Sequence, residues 1–181
     1  MSATRIASRY AKPLLELALE RNILDQVKQD MLSFTQLCKE NREFAAMLRS
    51  PIIKHFKKAE ILTSIFKGKV SDITLTTFTL ITRKNRETVL PEIAEEFLRM
   101  YNVNQGFQEA IVTTSFPLDN ELKAAFEKVI HELSGKKPLL KEVVKPGIIG
   151  GFILMMGDRQ IDESVSGKLR ELKLRFQKEN K

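Results

Sequence analysis

Tryptophan is absent from this chain, cysteine occurs once (Cys38) and histidine twice (His55 and His131). A single cysteine excludes an internal disulfide and fits a reducing compartment. Cys38 falls on the apolar face of a predicted helix, where a free cysteine is expected to be buried and inert. Zinc sites need four nitrogen or sulfur donors, and three such side chains cannot supply them. Neither histidine has a cysteine or carboxylate at ligand spacing, so both read as ordinary helix residues and no metal is expected. Long apolar runs are missing too. The longest, from Gly147 to Gly157, contains four glycines and is about half of the roughly 20 residues that span a bilayer. The N-terminus lacks the basic-then-apolar order of a secretory leader, and Glu16 and Glu20 interrupt it, which also argues against a transit peptide. There is no internal repeat and no low-complexity tract.

Nucleotide-binding and catalytic signatures are also lacking. Gly167-Lys168 echoes the end of a phosphate loop, but Leu169 stands where Ser or Thr is required, and the upstream glycine is missing. Gly150-Gly151 is not a dinucleotide fingerprint, which needs three spaced glycines between strand and helix. No nucleophile elbow is present. Asp158, Asp162 and Glu163 form a carboxylate cluster whose positions suit one turn residue, one helix cap and one first-turn acid favoured by the helix dipole. The expectation is therefore a protein with no active site and no cofactor.

What the chain does have is positive charge. Its 181 residues carry 30 Lys and Arg against 23 Asp and Glu, net +7. Up to Gln105 there are 17 basic and 12 acidic residues, and after it 13 and 11. A basic surface can attract nucleic acid, an anionic membrane face or an acidic protein. Lys54, Lys57, Lys58, Lys67 and Lys69 cluster with only Glu60 opposing. This cluster reads as a solvated helix face, because Phe56 and Phe66 are expected on the buried side and leave no platforms for stacking bases. A basic RNA-associated helical protein is the alternative reading, supported by the charge and opposed by the absence of any RNA motif.

Along the chain, helical spacing dominates the first 105 residues. Ala3, Ala7, Tyr10, Leu14 and Leu17 mark one face of a first helix over 4–21, which Pro13 should kink. Leu24, Val27, Met31, Phe34 and Cys38 mark a second over 23–40, and a short third follows over 43–49. Phe56, Ala59, Leu62 and Phe66 give the fourth, ended by Gly68. The fifth, over 72–84, is rich in β-branched residues that lean toward strand, but Leu75, Phe78 and Thr82 keep helical spacing. The sixth runs over 89–104 through Leu90, Ile93, Phe97 and Tyr101. Six helices with short loops predict a helical bundle over 1–105. Gln105-Gly106 is the break. Beyond it, 109–115 and 139–144 read as strands around a helix that Asp119 caps and that carries Leu122, Phe126, Val129 and Leu133. The fold class is thus α+β and mostly α: an N-terminal six-helix bundle, then a small α/β C-terminal domain over 106–181. So small a unit buries limited core alone and should be looser than the bundle.

The richest stretch is 148–165. Phe152 to Met156 reads as a strand buried on both faces. Gly157-Asp158 reads as a hairpin turn into Arg159-Gln160-Ile161, and Asp162 as the cap of a last helix. Val165, Leu169, Leu172 and Phe176 then lie on one helix face. Gly150-Gly151 suggests a bulge or a close backbone approach.

The pattern from Ile149-Gly150-Gly151-Phe152 through Gly157-Asp158 and Ile161-Asp162 to Ser164-Val165 and Leu169 resembles the delta subunit of F-type ATP synthases, the family of the mitochondrial oligomycin sensitivity-conferring protein. Arg9-Tyr10-Ala11-Lys12-Pro13-Leu14 and Val112-Thr113-Thr114-Ser115-Phe116-Pro117-Leu118 extend the resemblance over most of the chain. Lys84-Asn85-Arg86-Glu87 lacks the glycine that the family has there, and Lys145-Pro146 stands for its Asp-Pro. The resemblance implies a non-catalytic stator subunit, one copy per complex, peripheral on the cytoplasmic face of the inner membrane. It implies that the bundle grips an N-terminal helix of an alpha subunit on the catalytic head, in a groove between the first and fifth helices. Tyr10, Leu14, Phe78, Ile81 and Thr82 are the candidates for that groove. It implies that the C-terminal domain holds the ends of the stalk b subunits, and that nucleic acid is not a partner. Gly150, Gly151, Gly157, Asp158 and Asp162 are candidates for a structural role.

Overall fold

The computed structural model describes residues 3–179, without the side chains of residues 3, 4, 174, 178 and 179; the expected burial of Ala3 lies outside that description. The chain divides into two compact units, one ending at Tyr101 and one beginning at Asn102.

The first unit contains α1 (Ala3–Glu20), α2 (Leu24–Glu40), α3 (Arg42–Arg49), α4 (His55–Phe66), α5 (Asp72–Arg83), a single 3-10 turn (Glu87–Val89) and most of α6 (Leu90–Asn104). One apolar cluster joins all six helices. At its centre Phe34 meets Phe78 at 4.8 Å between ring centroids, Phe66 at 5.7 Å and Phe44 at 5.9 Å. Each such ring contributes about 2 kcal/mol through the area removed from water. Polar ties fix how the helices meet. Asp30 on α2 accepts from the Ser71 amide at 2.9 Å and its hydroxyl at 2.8 Å, and Ser71 caps α5. The Tyr101 hydroxyl donates to Asp25 Oδ1 at 2.7 Å, which raises the phenol's pKa through that hydrogen bond first and burial second.

The β-branched α5 is a helix because its threonines find partners inside it. Thr77, Thr79 and Thr82 donate to the carbonyls of Ile73, Leu75 and Phe78 at 2.8, 2.9 and 2.7 Å. A hydroxyl satisfied four residues back can be buried at little cost. In α1 the helix continues through Pro13 without a break. Its buried stripe is Ala7, Ala11, Leu14 and Ala18, while Leu17 is 42% exposed. The expected face was therefore turned by part of a helical step, because the small residues allow close packing that apolarity alone does not signal. In α4 the correction is larger. Phe56 is exposed and Lys58 is buried.

The second unit is a four-stranded sheet in the order β2-β1-β3-β4, made of β1 (Phe107–Thr114), β2 (Lys137–Val144), β3 (Phe152–Met156) and β4 (Arg159–Asp162). β1 and β2 are parallel, crossing over through α7 (Asn120–Ser134), and the β1–β3 and β3–β4 pairs are antiparallel. Asp119 caps α7, accepting from the Leu122 amide at 2.7 Å. Ala110, Val112, Leu154, Met156, Leu118 and Ile130 form the core. β3 is buried on one face only, since Met155 between Leu154 and Met156 is exposed. Nor does α7 bury the face expected: Leu122, Val129 and Leu133 are exposed, and Phe126 and Ile130 turn toward the sheet. The chain's last helix is α8 (Val165–Glu179).

Candidate partner-binding surfaces

The five candidates on α1 and α5 separate into two kinds. Leu14, Phe78, Ile81 and Thr82 are each 2% exposed or less. They brace α1 and α5 from inside and offer nothing to a visitor in this conformation. Tyr10 is half-buried, with the Arg86 guanidinium above its ring at 6.0 Å. The apolar atoms still reaching solvent on these helices belong to Tyr10 and to neighbours that were not candidates for the groove. At about 100° per residue, Ile6, Tyr10, Pro13 and Leu17 follow one flank of α1, and Ile73, Thr77 and Leu80 one flank of α5. The other flank of α1 carries Ser8, which after the Arg99 guanidinium helps to lower the pKa of Glu96 on α6. The other flank of α5 meets α4, where Thr79 and Arg83 line a cleft. Both half-open flanks lie on helices that pack against each other.

That α4–α5 cleft, of about 870 Å³, is lined by Phe56, Ala59, Thr63, Lys67, Thr79 and Arg83 among others. The signal that could have found it is Lys58. Its ammonium donates to Glu87 Oε1 at 2.8 Å and to the Leu48 carbonyl at 2.9 Å, all three groups buried. A lysine spent on an internal ion pair fixes which face of α4 points inward, and so turns Phe56 out. It also removes one cation from the lysine cluster read as a solvated face. Cys38 is half-buried, and burial pushes its thiol up to about 11.

In the second unit the glycine motif seats the start of α8. Gly151 has φ +78, and a Cβ there would lie 2.3 Å from the Glu163 carbonyl oxygen. Only glycine fits a positive φ and so close a backbone. Across this approach the Glu163 amide donates to the Phe152 carbonyl at 2.9 Å and the Val165 amide to the Gly150 carbonyl at 3.0 Å. A Cβ on Gly150 would rest 3.4 Å from Val165. Gly157 has φ +61 in the β3–β4 turn, with Asp158 exposed beside it.

Asp162 is not the cap of α8. Its Oδ1 accepts from the Ser164 hydroxyl at 2.6 Å and the Ser164 amide at 3.0 Å, and Ser164 in turn accepts from the Gly167 amide at 3.0 Å. Ser164 is the capping side chain and Asp162 orients it. The Ser164 hydroxyl and then its amide hold the Asp162 carboxyl below its usual pKa. Gly167 belongs to the same device, since a Cβ there would lie 2.8 Å from the Asp162 carboxylate. The glycine that echoed a phosphate loop thus makes room for a carboxylate.

The family model described as ATP synthase delta (OSCP) subunit matches residues 6–176. The chain belongs to the ATP synthase delta (OSCP) subunit family. It is 39% identical over 176 residues to the ATP synthase subunit delta of Cytophaga hutchinsonii, covering 97% of this chain and 96% of that one. With the subunit delta of Amoebophilus asiaticus it shares 38% over 176 residues, again 97% and 96% of the two chains. A chain in the structure of the Toxoplasma gondii mitochondrial ATP synthase hexamer superposes with a TM-score of 0.77 at 22% identity, covering 94% of this chain and 96% of that one. That likeness shows that the fold is shared.

Within this delta-family chain, α8 is the most exposed apolar surface of the second unit. Val165, Leu169, Leu172 and Phe176 are between 42 and 62% exposed, and none of them enters the sheet's core. Among the described residues no helix is long and apolar enough to cross a membrane.

Proposed function

We propose that this chain is a stator subunit of an F-type ATP synthase and performs no chemistry of its own. It links the catalytic head to the peripheral stalk, so that rotation driven by proton flow is coupled to ATP synthesis. In this reading the six helices of 1–105 form the bundle that takes an alpha-subunit N-terminal helix along the α1–α5 flanks, through Tyr10, Leu17 and Leu80. The candidates Leu14, Phe78, Ile81 and Thr82 keep the two helices at the right separation beneath it. The unit over 106–181 holds the stalk b subunits. The chain sits once per complex on the cytoplasmic face of the membrane, without spanning it. The carrying observation is that uncovered apolar surface occurs on both compact units, as a two-ended connector needs. A helix laid on an apolar groove is a common mode of recognition, and two linked attachments gain from high effective concentration.

The test is calorimetric titration of the full chain with a synthetic alpha-subunit N-terminal peptide, and separately with soluble b subunits. Binding of both at micromolar concentration is expected. Leu80→Asp should abolish the first and spare the second. An absence of heat with either ligand would overturn the connector reading.

A further inference from the structure

The lysine cluster around α4 reads as a plain solvated face only while Phe56 is counted as buried. In the structure the Phe56 ring is 48% exposed and borders the cleft of about 870 Å³ between α4 and α5, a volume that suits a small organic ligand. His55, edge-on at 6.0 Å between ring centroids, and Lys54, with Nζ 6.0 Å from the Phe56 centroid, leave the ring uncovered. Along α4 the cleft next meets Glu60, Ser64 and Lys67. Steps of four, four and three keep all of them on the helix face of Phe56, about 6, 12 and 16 Å from it along the axis. The short connection over 67–71 makes α4 and α5 antiparallel, which brings Arg83 at the end of α5 beside the start of α4. The floor between is rich in carbon. It consists of Ala59 with Thr63 and Thr79, whose hydroxyl protons are spent on the Ala59 and Leu75 carbonyls at 2.8 and 2.9 Å.

Among the described residues Lys67, Arg83 and Glu60 enter no ion pair. Two cations and one acid, none of them spent inside the protein, call for a ligand with complementary groups. Glu60 decides which ligand. A fatty chain laid in the cleft would press carbon against that carboxylate, and an acidic peptide would set a like charge beside it. Sugar hydroxyls would donate to it. The order of ring, carboxylate, hydroxyl and ammonium along α4 is the order that an extended nucleotide needs for base, sugar and phosphates. We propose that the α4–α5 cleft binds a free nucleoside diphosphate, with its base stacked on Phe56, its sugar hydroxyls on Glu60 and its phosphates on Ser64 and Lys67. Stacking accepts any base, because every base has a π face. The Arg83 guanidinium, at the Phe56 end, offers a fork of donors to acceptors on the base edge. No glycine loop takes part, which is why no phosphate-loop signature marks the site. Such binding adds to the connector role and does not depend on it.

The experiment is isothermal calorimetry of the full chain at low salt and without magnesium, with ADP, adenosine and pyrophosphate as separate probes. ADP should bind at least about tenfold tighter than either fragment, and its affinity should fall as salt rises. Phe56→Ala should weaken ADP at least about tenfold and leave pyrophosphate unchanged. Lys67→Ala should weaken ADP and pyrophosphate alike and reduce the salt dependence. Both variants should keep the circular dichroism of the parent, because both side chains are exposed. No binding of ADP at millimolar concentration, equal binding of ADP and pyrophosphate, or ADP binding untouched by both substitutions overturns the proposal. A hexanucleotide of single-stranded RNA that binds at least about tenfold tighter than ADP also overturns it, since the cleft would then be a nucleic-acid groove.

Discussion

Among the described residues, eighteen apolar side chains are buried together in the unit that ends at Tyr101, and six in the unit that begins at Asn102. Large apolar side chains left exposed run the other way, with seven described in the first unit and thirteen in the second. The helical unit buries most of its apolar side chains around an aromatic centre, with polar ties that reach from helix to helix. The sheet unit leaves two of its helices with apolar faces in solvent. The difference teaches that a small unit can keep its fold through backbone fit, at Gly151 and Ser164, while reserving side-chain apolarity for a neighbour.

The comparison can be broken most forcefully at Lys58. Lys58→Ala leaves the Glu87 carboxylate buried without its cation, and the helical unit should lose about 4 kcal/mol. Chemical denaturation followed by helix content should show that loss while β1 and β3 keep their amide protection. In the other unit Gly151→Ala forces a Cβ against the Glu163 carbonyl at a positive φ and should cost about 3 kcal/mol, with loss of protection in β3 and α8 alone. If the two substitutions lowered one shared transition equally, the units would not be separable. Native-state hydrogen exchange of the unmodified chain sharpens the contrast, since amides of β1 should open at least about 1 kcal/mol more easily than those of α2 and α6. Slower exchange in β1 would reverse the comparison. Leu169→Asp, on an uncovered face, should change stability by no more than about 0.5 kcal/mol.

The smallest effect is a pH slope. Hydrogen bonds from Ser164 depress the folded pKa of Asp162 below 3.8. A depressed carboxylate stabilises the fold above its unfolded pKa, and that contribution fades as pH falls from about 3.8 through the lower folded value. Asp162→Asn should flatten that part of the acid limb of a thermal melt; an unchanged limb would deny the carboxylate this part.

Most of the architecture was legible because period survives in a single sequence. The change at Gly106 from helical spacing to strand alternation, the Asp119 cap and the Gly157 turn all stand close to where the residues put them. Orientation was less legible. Lys58 looks like solvent and is core. Ala11 looks weak and packs where Leu17 does not, and Phe56 looks like core and borders a cleft. Apolar spacing reads the same for a groove and an interior, which is why Leu14, Phe78, Ile81 and Thr82 were candidates while Leu80 was missed. Asp162 and Gly167 were judged apart, although a contact five residues long in sequence makes them one device.

Pro13 carries a last consequence. It brings no amide to the Arg9 carbonyl one turn behind it, and it lies on the same flank of α1 as Tyr10 and Leu17. That flank therefore has a carbonyl to which residue 13 offers no donor, set among carbon atoms. A guest chain sliding along the strip would find greasy contact at every register but a polar mate at one alone, so the gap left by an imino acid can set where the guest stops.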